Sequence, residues 1–261
     1  MYNRKKKILL MIMVISIVLS GCQKINNKEY SKTIIVGIDD YSPYTYRDEN
    51  GKYKGIDIEL ARVAFHQLGY KVTFKRIVWE NKNEDLDNGK IDCIWSCYSM
   101  NDREDLYQWA GPYLHSDQAV LVKKDSGIKT LDDLRTKRVG VQTSTKGETI
   151  FLNREVKELL CFSETKEVLS ALSKNYVDAV CGHQEMLQAY VNTDKNTYEI
   201  LEEKPYESVL GVAFKKGTHK KLAKKLNVIF QKLDQTKKIK KIVEKYGLDY
   251  DQVSVEGEVY E

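Results

Sequence analysis

The chain has 261 residues and a formal net charge of +4, from 42 basic and 38 acidic residues. Four basic residues and no acidic ones fall within the first seven positions, so the rest of the chain is balanced at 38 against 38. A balanced chain lacks the broad positive field on which general nucleic-acid binding depends. The roughly 240 residues beyond the N-terminal segment are enough for one or two domains with a substantial core.

An apolar run from Ile8 to Ser20 follows the basic residues. A membrane-spanning helix needs about 20 apolar residues, whereas a run of about 7–15 behind a positive segment is typical of a secretory signal peptide. The run ends in LSGC, which resembles the lipobox of bacterial lipoproteins. This implies cleavage before Cys22 and lipidation of its sulfur; the alternative is an uncleaved membrane anchor with a chance cysteine. We expect a signal peptide at 1–21, a polar tether at 22–33, and an extracytoplasmic protein held at the cell membrane by lipid.

Short β-rich runs alternate with helical patterns along the rest of the chain. The predicted strands are 33–38, 71–79, 91–95, 118–125, 138–142, 156–162, 176–182, 198–203 and 208–214. The predicted helices are 55–69, 83–90, 130–137, 145–153, 163–175, 218–233 and 236–246, with Ser163 as a candidate N-cap. Such alternation is typical of βαβ units and a mostly parallel sheet.

The pattern indicates two α/β units in tandem. The apolar strands at 118–122 and 208–214 could connect them, in which case the second unit is inserted within the first and the closing helices return to the first. Two crossing strands form a hinge, and two lobes form a cleft. Ligands bind in such clefts, at the carboxyl ends of strands.

The four cysteines beyond Cys22 lie in or beside apolar strand-like runs, without the CxxC spacing of zinc sites. They are Cys93, Cys97, Cys161 and Cys181. We expect buried free thiols; a disulfide is the alternative, because the compartment lies outside the cytosol.

The segment SCYSMNDRED at 96–105 leaves a predicted core strand through small polar residues and then places Arg103. This pattern has two interpretations, a loop with a solvated arginine or a clamp for an anion. A guanidinium has a planar fork of donors that fits a carboxylate.

Several stretches, in this order and spacing, resemble the family 3 extracytoplasmic solute-binding proteins, the amino-acid-type receptors of ABC importers. Together they cover nearly all of residues 34–247. They are VGIDDYSPYTYRDENGKYKGIDIELA, VWENKNEDLDNGKIDCIW, REDLYQWAGPY, LDDLRTKRVGVQTST, YVDAVCGH, LGVAFKKGTHKKLAKKLN and IVEKYG.

The resemblance implies a two-lobed α/β fold of the periplasmic-binding-protein type II class with a two-stranded hinge. The first lobe would comprise 34–119 and 210–261, and the inserted second lobe 120–209. The implied function is to trap an amino acid or related carboxylate between the lobes, as in a Venus flytrap, and to deliver it to an ABC transporter permease.

The resemblance also implies ligand-binding roles for residues of the first lobe. Tyr41 and Trp79 fall where aromatic rings sandwich the ligand, and Asp39 falls where a carboxylate can meet a ligand cation. Ser96 and Ser99 fall where backbone and hydroxyl groups meet the ligand.

Four further positions complete the implied site. Arg103 falls where the ligand carboxylate is gripped, and Thr145, at a helix start in the second lobe, falls where the same carboxylate is met. Gln142 lies three residues earlier. Trp95 either walls the pocket or fills the core.

The chain departs from the family pattern at two places. The loop before Arg103 is one residue short, with Met100 where the family has a threonine. His183 stands where the family has an aspartate that pairs with the ligand's ammonium, and a helix would turn Glu185 elsewhere. Either Asp39 and aromatic faces hold the ammonium, or the ligand lacks one; alternatively, His183 starts a helix without ligand contact.

We therefore expect a monomeric binding protein with no cofactor, no metal and no catalytic activity. Two alternatives remain open. One is an extracellular sensor that presents its ligand state to a membrane kinase. The other is a dehydratase-like enzyme on the same fold, which would need an acid/base pair such as His183 with Asp39.

Overall fold

The computed structural model describes Tyr30 and residues 32–255. The predicted signal peptide, Cys22 and most of the predicted tether lie outside the described residues. Both lobes belong to a single compact unit of the chain. Within the described part of the chain, no helix combines the length and the apolar composition needed to span a membrane.

The first lobe is built on a five-stranded sheet. Its strands are β1 (Lys32–Ile38), β4 (Tyr70–Arg76), β5 (Cys93–Ile94), β6 (Tyr107–His115) and β12 (Val209–Lys215). Their order is β4-β1-β5-β12-β6. β1 pairs in parallel with β4 and β5, whereas β12 is antiparallel to β5 and β6. A separate hairpin joins β2 (Tyr46–Arg47) and β3 (Tyr53–Lys54).

Helices from both ends of the chain pack against this sheet. They are α1 (Ile56–Gln67), α2 (Lys82–Asp87), α6 (Lys220–Gln235), α7 (Lys238–Lys245) and α8 (Tyr250–Val253). Phe65 of α1, Phe230 of α6 and Ile242 of α7 share one buried cluster with Val36 of β1. The closing helices therefore pack on the first sheet. α1 begins after Gly55, where φ is +123° and a Cβ would lie 2.1 Å from the carbonyl oxygen of Tyr44, so only glycine fits.

The second lobe has a sheet of its own. Its strands are β7 (Gln118–Lys123), β8 (Arg138–Gln142), β9 (Glu158–Phe162), β10 (Ala179–His183) and β11 (Tyr198–Ile200), in the order β11-β7-β10-β8-β9. β8 is parallel to β9 and β10, and β7 is antiparallel to β10 and β11. The helices are α3 (Lys146–Leu152), α4 (Thr165–Ser173) and α5 (Gln184–Val191).

The chain crosses between the sheets twice, once between β6 and β7 and once between β11 and β12. The crossing segments pair with each other, since Ser116 N donates to Ser208 O at 2.9 Å and Gln118 N donates to Tyr206 O at 2.8 Å. The second lobe is thus inserted within the first, which confirms the predicted two-lobed α/β architecture. The strands predicted to connect the lobes do not themselves cross between them. β7 lies in the second sheet and β12 in the first, and the crossings themselves are 116–117 and 201–208.

Three local predictions differ from the structure. β6 was not predicted, because Gly111 and Pro112 interrupt its sequence and both residues disfavour strands. The predicted helix at 130–137 is only a 3-10 turn at Asp132–Thr136. α4 is capped by Glu164 rather than Ser163, because Glu164 and Glu167 form a capping box.

Candidate ligand-binding site

A cavity lies between the lobes, where several strands of both sheets end. Its empty space, including the opening to solvent, is about 580 Å³. Nine of the ten predicted ligand-binding residues line it: Asp39, Tyr41, Trp79, Ser96, Ser99, Arg103, Gln142, Thr145 and His183. Residues far apart in the chain, from both lobes, thus come together around one cavity.

Trp95 is the exception. Its side chain is fully buried and packs against Phe65, Tyr113 and Phe230, with ring centroids 5.6–5.8 Å apart. Side chains alternate between the two faces of an extended segment, and Cys93 lies in the same cluster as Trp95. Trp95 therefore belongs to the core under the helices, and the next residue, Ser96, faces the cavity.

Asp39 follows β1 and is 5% exposed. Its Oδ2 accepts a hydrogen bond from Gln142 Nε2 at 2.6 Å, and its Oδ1 lies 3.9 Å from Arg76 Nη2. Burial raises the pKa of the Asp39 carboxyl, while the bond from Gln142 opposes this shift. The carboxylate is thus already engaged by residues of both lobes.

The two aromatic residues predicted to sandwich a ligand both line the cavity, but Tyr41 also bridges the lobes. Its hydroxyl accepts a hydrogen bond from His183 N at 2.9 Å, and its ring meets the imidazole edge-on. Trp79 packs edge-on against Tyr98 at 5.3 Å. The Trp79 Nε1 is buried and has no hydrogen-bond partner among the described residues.

The loop after β5 presents Arg103 to the cavity. Its Nη1 donates to Ser99 O at 3.2 Å, and its guanidinium carbon lies 4.9 Å from the ring centre of Tyr98. Arg103 is half-buried, and no carboxylate in the described ranges forms an ion pair with it. The guanidinium is therefore held in place with most of its donors available to an anion.

Gln142 and Thr145 lie on the second lobe, at the end of β8 and the start of α3. Gln142 donates to Asp39 and also accepts from Thr165 Oγ1 at 3.0 Å. The Thr145 hydroxyl donates to Gln142 O at 2.6 Å and caps α3 by accepting from Glu148 N. Because its hydroxyl is used within the protein, Thr145 contributes mainly to the shape of the cavity.

His183 ends β10 and lines the cavity. Its Nδ1 lies 3.0 Å from Ser116 O, and its Nε2 lies 3.3 Å from Ser99 Oγ. Because a carbonyl oxygen can only accept, Nδ1 carries the hydrogen and Nε2 is an uncharged acceptor; the Ser99 hydroxyl itself donates to Ser208 Oγ at 3.3 Å. Burial lowers the pKa of His183 to about 4, so the imidazole is neutral at pH 7. Glu185 does not line the cavity; its Oε2 accepts from Tyr44 Oη at 3.1 Å.

Sequence reasoning missed several polar residues in or beside the cavity. Gln118 lines the cavity, is 2% exposed, and has an Nε2 without a partner in the part of the chain that the structure describes. Lys146 also lines it, with Nζ 2.6 Å from Asp102 Oδ2. Lys82 lies beside it and donates to Ser144 O at 2.9 Å; burial lowers the pKa of Lys82 to about 8, and the nearby charge of Arg103 adds to the effect. Gln118 could have been predicted from its position at the start of the apolar strand QAVLV.

The two lobes contact each other directly around the cavity. Besides the bonds from Gln142 and Tyr41, Lys82 reaches Ser144 and Lys146 reaches Asp102 across the cleft. At the outer edge, Arg76 Nη2 lies 3.0 Å from Glu164 Oε1. These contacts define a closed arrangement of the lobes.

The four cysteines of the described ranges are free thiols, as expected. Cys93, Cys97 and Cys181 are buried, but the prediction of burial is wrong for Cys161, which is exposed because β9 is the edge strand of the second sheet. Among the residues covered by the structure, no cluster of three or more histidine, cysteine, aspartate or glutamate side chains could hold a metal ion.

Comparison with known proteins agrees with this architecture. A relative from Bacillus subtilis, named "Probable amino-acid-binding protein YxeM", is 28% identical over 93% of this chain and 95% of its own length. The crystal structure of a cysteine-binding protein from Campylobacter jejuni is 26% identical, with a TM-score of 0.80, over 86% of this chain and 96% of that one. The solved substrate-binding protein of an amino acid ABC transporter is 25% identical, with a TM-score of 0.75, over 82% of this chain and 98% of that one.

The family description "Bacterial extracellular solute-binding proteins, family 3" matches residues 34–249, which include both lobes and every residue of the cavity. The chain therefore belongs to family 3 of the bacterial extracellular solute-binding proteins.

Proposed function

We propose that this solute-binding protein serves an ABC importer and traps an amino acid or a related small carboxylate between its lobes. One observation carries the proposal. Arg103 faces a cavity lined by both lobes, and it has no carboxylate partner among the described residues. A charge-assisted, bidentate bond from arginine is the typical way to hold a carboxylate in a partly buried site.

The mechanism follows from the division of the cavity between the lobes. Arg103 and the aromatic rings of Tyr41 and Trp79 belong to the first lobe, whereas Gln142 and His183 belong to the second. A ligand bound to the first lobe gains further contacts only when the second lobe closes over it. Such a ligand binds the closed state more tightly and therefore drives closure.

The relatives support the class of ligand and the partner. Two of the proteins compared above carry names that refer to amino-acid or cysteine binding, and the third is the binding protein of an amino acid ABC transporter. By analogy, the partner of this chain is the permease of such an importer. We propose independently that the chain acts as a monomer outside the cytoplasm.

We also propose that the mature protein is held at the membrane by lipid on Cys22. Cys22 ends the LSGC sequence behind a basic and apolar N-terminal segment, and two or more acyl chains on one cysteine would give a stable anchor. The test is expression with a labelled fatty acid. The label is expected on the wild-type protein and absent from Cys22→Ala, which should be released from the membrane.

The dehydratase-like alternative has no geometric support. Asp39 hydrogen-bonds to Gln142 and His183 to serines, and no hydrogen bond joins the two in the described structure. An imidazole with its pKa lowered to about 4 is also poorly matched to proton transfer near pH 7.

Calorimetric titration of the purified protein tests the proposed function. The panel consists of the twenty amino acids and small carboxylates that share their carbon skeletons. We expect at least one compound to bind with a stoichiometry of one and to raise the melting temperature. If no member of the panel binds the folded protein, the proposal is wrong.

A further inference from the structure

One end of the cavity is formed where β7 begins and β10 ends. Gln118 and His183 are direct partners in the antiparallel pairing of these strands, and both line the cavity. This end is therefore built by an amide and an imidazole side by side. Neither group carries the negative charge that a ligand ammonium would need as a partner.

The Gln118 side chain has a buried hydrogen-bond donor without an acceptor. Its Oε1 lies 3.9 Å from Cys181 Sγ, which can donate to it, whereas its Nε2 has no partner among the described residues. A buried donor without an acceptor costs about 1–3 kcal/mol. A ligand oxygen in the cavity would supply the missing acceptor.

The neighbouring imidazole offers no charge to an ammonium either. Nδ1 of His183 donates to Ser116 O, and Nε2 lies 3.3 Å from Ser99 Oγ, which donates to Ser208 Oγ. Burial lowers the pKa of His183 to about 4, which keeps it neutral at pH 7. Its Nε2 can accept a hydrogen bond but offers no negative charge to pair with an ammonium.

The other polar groups around the cavity show the same bias toward donors. The buried Trp79 Nε1 also lacks a partner within the described ranges, and Arg103 has no ion pair there. Asp39 is the one carboxylate among the described lining residues, and Gln142 already donates to it at 2.6 Å. The cavity thus has several donors without partners and a single carboxylate, which already accepts from Gln142 and lies near Arg76.

Building on the proposed function, we infer that the ligand is a small carboxylate with a net negative charge, in which an oxygen acceptor occupies the place of an α-ammonium and receives a hydrogen bond from Gln118. The chemical class comprises 2-oxo acids, 2-hydroxy acids and N-acylated amino acids. A zwitterionic amino acid would instead place its ammonium against the N–H donors at this end.

Competition between matched ligand pairs tests this inference. Each pair consists of an L-amino acid and its 2-oxo, 2-hydroxy or N-acetyl counterpart, titrated into the wild-type protein by calorimetry. We expect the tightest ligand to lack the ammonium and to bind at least tenfold more tightly than its amino-acid counterpart. A tightest ligand that is an amino acid, with its desamino counterpart weaker, would overturn the inference and leave the proposed function intact. No binding by either class would overturn both.

Two variants assign the effect to this end of the cavity. His183→Asp should reverse the preference toward the amino acid, because it supplies the missing carboxylate.

Gln118→Met, which keeps the volume of the side chain, should weaken binding of the preferred ligand at least tenfold, whereas Gln188→Met on the exposed face of α5 should not. Thermal unfolding without ligand verifies that each variant folds. An unchanged affinity of Gln118→Met would remove Gln118 from the ligand contacts.

Discussion

Gln142 Nε2, at the end of β8 in the second lobe, lies 2.6 Å from Asp39 Oδ2, which directly follows β1 in the first lobe. The contact is made across 103 residues of sequence. Both side chains are buried. In the closed arrangement, the buried carboxylate therefore relies on a donor that the other lobe supplies.

This relationship predicts that Gln142→Leu destabilises the closed state. Closure would then bury Asp39 without its amide donor, and a hydrogen bond to a charged group is worth roughly 1.5–3 kcal/mol. We expect the affinity for ligand to fall about tenfold or more, as measured by calorimetry. The control is Gln231→Leu on an exposed position of α6, which should not change the affinity. Equal affinities for the two variants would show that the Asp39–Gln142 contact does not contribute to closure.

Arg103→Met should weaken ligand binding about tenfold or more, because it removes a charge-assisted bond worth roughly 1.5–3 kcal/mol. The melting temperature without ligand should change little, since Arg103 has no ion pair within the described structure. Arg47→Met is a matched control, because the Arg47 guanidinium also lies over a tyrosine ring, Tyr53, at 4.6 Å but outside the cavity. Loss of affinity in both variants alike would count against a specific role for Arg103.

Trp79 and Trp95, both in the first lobe, should respond oppositely to substitution by phenylalanine. Trp95→Phe leaves a void in the core and should lower the free energy of unfolding by roughly 1–3 kcal/mol, without altering the affinity of the folded protein. Trp79→Phe removes a cavity donor and should weaken ligand binding with a smaller effect on stability. Urea unfolding and calorimetry on both variants provide the comparison. If Trp95→Phe weakens ligand binding and Trp79→Phe does not, Trp95 contacts the ligand and its assignment to the core is wrong.

The neutral state of His183 predicts a specific dependence on pH. Its pKa in the folded protein is about 4, below its ordinary value of 6.5, so between these values the unfolded chain binds the proton and the folded chain does not. The stability associated with His183 is therefore fully present above pH 6.5 and is lost as pH falls toward 4. Relative to the wild type, His183→Gln should gain stability over this range, in urea titrations at a series of pH values. A constant difference between the two proteins from pH 7 to pH 4.5 would contradict the buried neutral imidazole.

Much of the site could be predicted because it lies at strand ends. Asp39, Gln142 and His183 each end or directly follow an apolar run, where α/β clefts place their ligand-binding residues. Trp95 could not be assigned from the sequence alone, since a short strand of unknown register leaves its face undetermined. Once β5 is placed, the alternation of side chains puts Trp95 in the core with Cys93.

Gln118, Lys82 and Lys146 escaped prediction for a different reason. Each is buried by parts of the chain distant in sequence. The apolar run after Gln118 is a local hint of its burial, whereas no local pattern encodes the burial of the two lysines. Lys82 begins α2 and looks like a surface lysine until Ser144 of the other lobe meets it at 2.9 Å. The contacts that define closure are therefore the part of the site that only the folded chain reveals.

The crystal structure of the protein with its tightest ligand is the most direct test of the central claim. The account predicts one ligand between the lobes, with a carboxylate oxygen about 2.7–2.9 Å from a guanidinium nitrogen of Arg103. A ligand bound outside the cavity, or one whose carboxylate faces away from Arg103, would contradict it.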